Sequence, residues 1–130
     1  MDYSDAPPPM AQREPPDLWR LPDIVDLHIR WRRFERPRRV TIMGKDTFYK
    51  EAVEVEVRVS EPFQIRALGP VLWIGEEPLT IADSPSKGVY RFYGFAPDKL
   101  RANAPLALSW NSPGADRKAV KYVYAPPTRD

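Results

Sequence analysis

The chain contains no cysteine and only one histidine among its 130 residues. The absence of cysteine excludes disulfide bonds, thiol catalysis and cysteine-ligated zinc. A single histidine also excludes the catalytic zinc sites that need two or three imidazole ligands. No apolar run approaches the roughly 18 residues of a membrane span, so we expect no membrane insertion.

Motifs of catalysis and targeting are lacking as well. The sequence has no Gly-x-Ser-x-Gly elbow, no Gly-x-Gly-x-x-Gly and no P-loop. The carboxylates Glu76, Glu77 and Asp83 are more typical of solvated charges near a hairpin turn than of a calcium site, which needs several oxygen ligands at alternating positions. His28, which has Asp26 as an acidic neighbour, is more typical of a surface histidine than of a general base. The first residues combine neither a basic start nor an apolar core, so we expect no classical signal peptide and, by default, a cytoplasmic protein. We predict a protein that is not an enzyme and holds no metal or cofactor.

Proline is abundant, with sixteen in the chain. Each proline inside a helix costs about 3 kcal/mol, which disfavours long helices. Six of the prolines fall in residues 1–22, and we predict that this segment is an extended, polyproline-like arm. Trp19, beside Leu18 and Leu21, is a candidate anchor that docks the arm on this domain or on a partner.

Alternating apolar and polar residues predict short β-strands. The clearest strand is 53–59, where four valines alternate with two glutamates and an arginine. A first strand is expected to end at Pro37, with a separate short strand at 40–43. The continuous apolar run 71–74 predicts a central strand, and 89–95, aromatic on both faces, predicts a strand covered on both sides. About eight or nine such strands, separated by prolines and other turn residues, predict an antiparallel sandwich. Its bounds are 23–125, with a tail at 126–130.

One short segment adds a topological hint. Residues 86–92 resemble the corner of immunoglobulin-type sandwiches, where a tyrosine two residues before a buried residue bonds back to the backbone of the preceding turn. Here Tyr90 precedes Phe92, and Trp73 is the candidate core tryptophan. The resemblance implies an all-β, antiparallel, immunoglobulin-like β-sandwich and no particular family.

Charge is distributed in blocks, although the net charge is only +2. Residues 1–29 carry two basic and six acidic groups, or −4, whereas residues 30–50 carry eight basic and two acidic groups, or +6. The two later blocks repeat this alternation of sign. Such alternation is more typical of internally matched strands than of a polybasic tail.

The most conspicuous local feature is 30–39, with six arginines and two aromatic residues. In a first interpretation, Arg30 and Arg32 stand on the solvent face of a strand and pair with Glu54 and Glu56 across it. In a second, the segment is an interface for an acidic or protein partner. In a third, it grips phosphates and stacks on bases. The candidate partner-binding residues are Trp19, Arg30, Arg32, Arg36, Arg38 and Arg39.

The function that these features favour is a non-catalytic protein-interaction or structural module. We expect a small subunit or accessory component of a larger assembly, docking through its arm and its arginine-rich strand end to a protein partner or to further copies. The alternative is a nucleic-acid-binding β-domain that uses 30–39. A second alternative is a carbohydrate-binding or hydrolytic β-sandwich, with an aromatic platform drawn from Tyr49, Trp110, Tyr122 and Tyr124.

Overall fold

Seven antiparallel strands form one sheet. A computed structural model describes residues 20–42, 44–63, 69–112 and 114–129. The strands are β1 (Ile24–Ile42), β2 (Lys45–Val59), β3 (Val71–Ile74), β4 (Glu77–Ser86), β5 (Val89–Gly94), β6 (Pro105–Ser109) and β7 (Lys118–Val123). Their order in the sheet is β1-β2-β5-β4-β3-β6-β7, and a short 3-10 helix at Pro97–Lys99 joins β5 to β6.

The prediction of an all-β, antiparallel protein is confirmed. The division into two packed sheets of immunoglobulin type stays a prediction, because the described strands form a single sheet. The arm stays a prediction as well: residues 1–19, with Trp19, lie outside the described residues, while Leu21 and Pro22 at its end are buried. Within the described ranges, no helix is long and apolar enough to cross a membrane.

The core lies on the face of the sheet that carries the valines of β2, here called the inner face. Val55, which is fully buried, pairs with Ile29 of β1 on one side and Phe92 of β5 on the other. Leu72 and Leu108 continue the inner face across β3 and β6. Burying each of these side chains contributes about 1.5–3 kcal/mol. The alternation of apolar residues in the sequence therefore determines which face of the sheet forms the core.

The sheet curls until its two edge strands meet. The Tyr122 hydroxyl of β7 donates to the Val25 carbonyl of β1 at 3.2 Å. The Lys118 ammonium donates to the Leu21 carbonyl at 2.8 Å and pairs with the Asp23 carboxylate at 2.8 Å. The hydrogen bond that Lys118 donates to the Asp23 carboxylate holds the pKa of that carboxyl below its ordinary value. Side chains, rather than a backbone ladder, therefore close the seam between the described parts of β1 and β7.

The chain after β7 continues this closure. Tyr124 is buried, and its backbone N–H donates to the Ala104 carbonyl at 2.9 Å. Burial raises the pKa of the Tyr124 hydroxyl. Further on, the Arg129 guanidinium lies 4.0 Å from the centre of the Trp31 ring on β1. The predicted tail thus returns to the first strand.

The predicted end of the first strand at Pro37 is wrong, since β1 continues to Ile42. Four residues, 34–37, oppose the single residue Lys50 of β2, so the strand contains a large, irregular bulge here. A bulge tolerates proline because no ladder hydrogen bond requires its missing N–H. The separate strand expected at 40–43 is, up to Ile42, the far half of β1.

The corner residues behave partly as expected. Phe92 is fully buried, and the Tyr90 hydroxyl donates to the Phe63 carbonyl at 2.6 Å and accepts from the Phe63 N–H at 2.9 Å. The bonded backbone is 27 residues upstream, not in the preceding turn. Trp73 is not a core residue: it lies half-buried on the outer face, where its indole donates to the Ser109 hydroxyl at 2.8 Å.

Two phenylalanines provide a matched test of the core. Phe92→Ala leaves a cavity in the inner face and should lower the free energy of unfolding by about 3–5 kcal/mol. Phe48→Ala, at a side chain that is 63% exposed, should change it by about 0.5 kcal/mol or less. Urea denaturation followed by tryptophan fluorescence measures both values, and similar losses for the two variants would contradict the fold.

Candidate interaction surface

The β1–β2 hairpin is longer than the sheet beside it. β5 pairs with β2 only from Val53 to Arg58. The part of the hairpin formed by residues 33–50, here called the distal hairpin, therefore extends beyond the end of β5. It carries six basic and two acidic residues, a net charge of +4.

Aromatic contacts hold the distal hairpin against the outer face of the sheet. The rings of Phe34 and Tyr93 have their centres 5.6 Å apart, and the Arg38 guanidinium lies 4.9 Å from the centre of the Tyr93 ring. Tyr49 stacks on Phe95 at 4.7 Å. Tyr93 is consequently only 3% exposed, although it faces away from the core. Ring pairs and cation–π contacts of this kind each contribute about 0.5–1.5 kcal/mol.

A buried carboxylate lies beside this aromatic group. Glu54 is 1% exposed and stands in register between Arg30 of β1 and Tyr93 of β5. Its two carboxylate oxygens accept hydrogen bonds from Arg30 and, at 3.1 Å, from Arg32. The hydrogen bond that Arg30 donates to Glu54 raises the pKa of the Arg30 guanidinium. The two guanidiniums offset the penalty of several kcal/mol that a single buried charge incurs.

These contacts settle part of the first interpretation of the arginine segment. The pairing of Arg30 and Arg32 with Glu54 is confirmed, but the carboxylate is buried and does not lie on a solvated face. Glu56 pairs with Arg91 of β5 at 3.0 Å and not with the arginines of β1. One glutamate therefore takes both arginines, because Arg30 faces it directly and Arg32 reaches it diagonally along the strand.

A second carboxylate anchors the base of the distal hairpin. Glu51 accepts hydrogen bonds from the Trp31 indole at 3.2 Å, from Arg33 at 3.1 Å and from Arg129 at 3.4 Å. The Trp31 hydrogen bond, together with the two arginines, holds the pKa of the Glu51 carboxyl below its ordinary value of 4.5. Arg33 is thus also paired within the protein.

The remaining arginines of the segment face outward. Arg36 is exposed in the bulge, and no described carboxylate lies within 4.0 Å of Arg36 or Arg38. Arg39 is 4.0 Å from Asp46 and stands opposite Phe48, whose ring is 63% exposed. Cationic and apolar side chains therefore share the surface of the distal hairpin.

The candidate residues thus divide into three groups. Arg30 and Arg32 are paired with Glu54 on the outer face. The second group, Arg36, Arg38 and Arg39, belongs to the distal hairpin. Trp19 lies outside the described residues. Sequence reasoning missed Tyr93, although the aromatic residues on both faces of its strand predicted a cover over that strand.

A shallow depression of about 240 Å³ separates the distal hairpin from β4 and β5. Its walls combine two guanidiniums with aromatic and small apolar side chains, a combination that suits a carboxylate-bearing extended chain. The lining residues are Arg38, Arg39, Val40, Thr80, Ile81, Ala82, Tyr93 and Phe95.

The structure gives less support to a sugar-binding platform or a metal site. Trp110, Tyr122 and Tyr124, considered for a sugar platform, all pack against the core. Across the described ranges, no group of three His, Asp or Glu side chains is placed to hold a metal ion. Comparisons with protein-family models, with curated proteins and with solved structures gave no match. Function is therefore inferred from the residues and their geometry.

The buried carboxylate gives a stability prediction. Glu54→Gln leaves two guanidiniums facing a neutral amide and should lower the free energy of unfolding by about 2–3 kcal/mol. Glu56→Gln is the matched control: its side chain is 33% exposed, and its loss should be about 0.5 kcal/mol. Equal and small losses in urea denaturation would show that Glu54 is solvated.

Glu51 gives a pH prediction. Because its pKa is lowered on folding, its ionised form stabilises the protein above pH 4.5, and that stabilisation is lost as the pH falls through the lowered pKa. The melting temperature of the wild type should therefore exceed that of Glu51→Gln near neutral pH by a constant margin. The margin should shrink below about pH 4.5. A margin independent of pH would contradict the prediction.

Proposed function

We propose that the protein is a non-catalytic interaction module, a small subunit or accessory component of a larger assembly, that docks an acidic protein partner on its distal hairpin. One observation carries the proposal. The distal hairpin is packed against the sheet through Arg38–Tyr93 and Tyr49–Phe95, while Arg36 has no carboxylate partner among the described residues.

The charge of the distal hairpin supports an external partner. Arg30, Arg32 and Arg33 are compensated by Glu54 and Glu51. Without Arg33, the distal hairpin carries five basic residues against Glu35 and Asp46, a net charge of +3. Arginine forms bidentate hydrogen bonds with carboxylates and is a common anchor of protein interfaces. A partner that presents carboxylates complements this surface.

Nucleic acid is the second candidate, and Phe48 favours it. Its exposed ring stands opposite Arg39, so a base could stack on the ring while the guanidinium contacts a phosphate. The overall charge of +2 and the acidic neighbouring blocks weaken this candidate relative to an acidic protein.

The finer fold assignment belongs to the same proposal. The buried Tyr90 and Phe92 support an immunoglobulin-like sandwich, and six prolines support an extended arm over residues 1–22. Such an arm adds contact area at low ordering cost, because polyproline-like chains are already extended.

Charge reversal tests the proposal on the full chain. Fluorescence anisotropy would measure the binding of a labelled poly-glutamate peptide and a labelled single-stranded oligo-dT at about 50 and about 200 mM salt. Arg36→Glu with Arg39→Glu should weaken peptide binding by at least about tenfold. The control pairs Lys99→Glu with Arg101→Glu, which changes the net charge equally at exposed positions outside the distal hairpin and should leave binding unchanged.

The two probes separate the two candidates. Peptide binding that is tighter than oligo-dT binding at each salt concentration supports the protein-interaction module. Tighter binding of oligo-dT, with a steep loss in salt that the hairpin reversal removes, would replace it by nucleic-acid binding. Equal effects of the hairpin and control reversals would overturn both candidates.

A further inference from the structure

Residues 1–19, which precede the described domain, are acidic. They contain four carboxylates, Asp2, Asp5, Glu14 and Asp17, and one basic residue, Arg13, a net charge of −3. The distal hairpin has a net charge of +4. The same chain therefore contains two charged segments of opposite sign and similar net charge.

We infer that residues 1–19 of one copy dock on the distal hairpin of a second copy. The inference rests on the proposed function, and it names the acidic partner as a second copy of this chain. In a two-fold symmetric pair each copy supplies one acidic segment and one basic hairpin, so the contact forms twice.

The reach of the chain favours a second copy over the same copy. Asp17 and Glu14 lie three and six residues before Arg20, so their backbone reaches at most about 10 and about 20 Å from that residue. Only the more distant Asp2 and Asp5 have a longer reach within one copy.

We estimate from extended-chain dimensions that the hairpin lies beyond that distance. Arg38 packs on Tyr93 of β5. Tyr93 pairs with a residue of β2, Glu54, which in turn pairs with Arg30 of β1, so Arg30 marks the same level of the sheet. Arg30 is seven residues along β1 from Asp23, or about 23 Å in an extended strand. The width of the strands between β1 and β5 adds to this separation. A second copy has no such limit, so all four carboxylates can contribute.

The chemistry of the two segments fits the contact. Guanidiniums at Arg36 and Arg39 can each take a carboxylate in a bidentate pair. Proline favours an extended backbone, which would lower the cost of ordering such a segment on docking. Trp19 supplies an aromatic side chain for the ring of Phe48, which is 63% exposed.

A reciprocal charge exchange tests the inference with the full chain. Sedimentation velocity of the wild type should show a dimer that dissociates as salt rises from about 50 to about 200 mM. The segment-reversed variant is Asp2→Lys, Asp5→Lys, Glu14→Lys and Asp17→Lys. The hairpin-reversed variant is Arg36→Glu, Arg39→Glu and Lys45→Glu. Each variant alone should be monomeric, because its segment and hairpin have the same sign of charge.

A mixture of the two variants shows whether the segment docked on the hairpin comes from a second copy. An equimolar mixture of the two variants should form a heterodimer, since each segment meets a hairpin of opposite charge only on the other variant. The control Lys99→Glu with Arg101→Glu should dimerise like the wild type. A wild type that stays monomeric, a dimer that survives both reversals, or a mixture that stays monomeric would overturn the inference. If the wild type is monomeric but poly-glutamate still binds the hairpin, the self-docking fails and the proposed function stands.

Discussion

The carboxylate of Glu54 sits under two arginine side chains on the outer face of the sheet, where it is 1% exposed. A charge in that position is tolerated only if its hydrogen bonds are satisfied, and Arg30 and Arg32 satisfy them. The three residues therefore fix β1 against β2 on the face away from the core. Tyr93, the neighbour of Glu54 on β5, lies on the same outer face and contacts Phe34 of the distal hairpin.

This arrangement separates two roles within one run of arginines. The arginines nearest the sheet neutralise carboxylates of β2, so they contribute to folding. The bulge at 34–37 then lets the chain turn onto Tyr93, and the arginines after it stand at the surface. One continuous basic sequence thus forms both a paired strand segment and an exposed basic surface, and the bulge that contains Pro37 begins the exposed part.

Much of the fold could be predicted from alternation alone. The valines of β2 and the apolar segment of β3 lie where the sequence placed them, because burial of one face dictates a period of two. The role of Pro37 could not be predicted, since its tolerance depends on a bulge created by the register with β2. The burial of Glu54 also escaped prediction, because local sequence does not reveal which arginines fold over a carboxylate. Trp73 shows the same limit: an apolar run indicates a strand, but pairing decides which face each residue takes.

The distal hairpin packs back on the sheet and so presents a fixed basic surface. Nuclear Overhauser contacts between aromatic rings measure this packing most directly. The ring separations of 5.6 Å for Phe34–Tyr93 and 4.7 Å for Tyr49–Phe95 predict cross-peaks for both pairs. Absence of both cross-peaks, in a sample whose Phe63–Tyr90 pair gives its expected contact at 4.1 Å, would contradict the account.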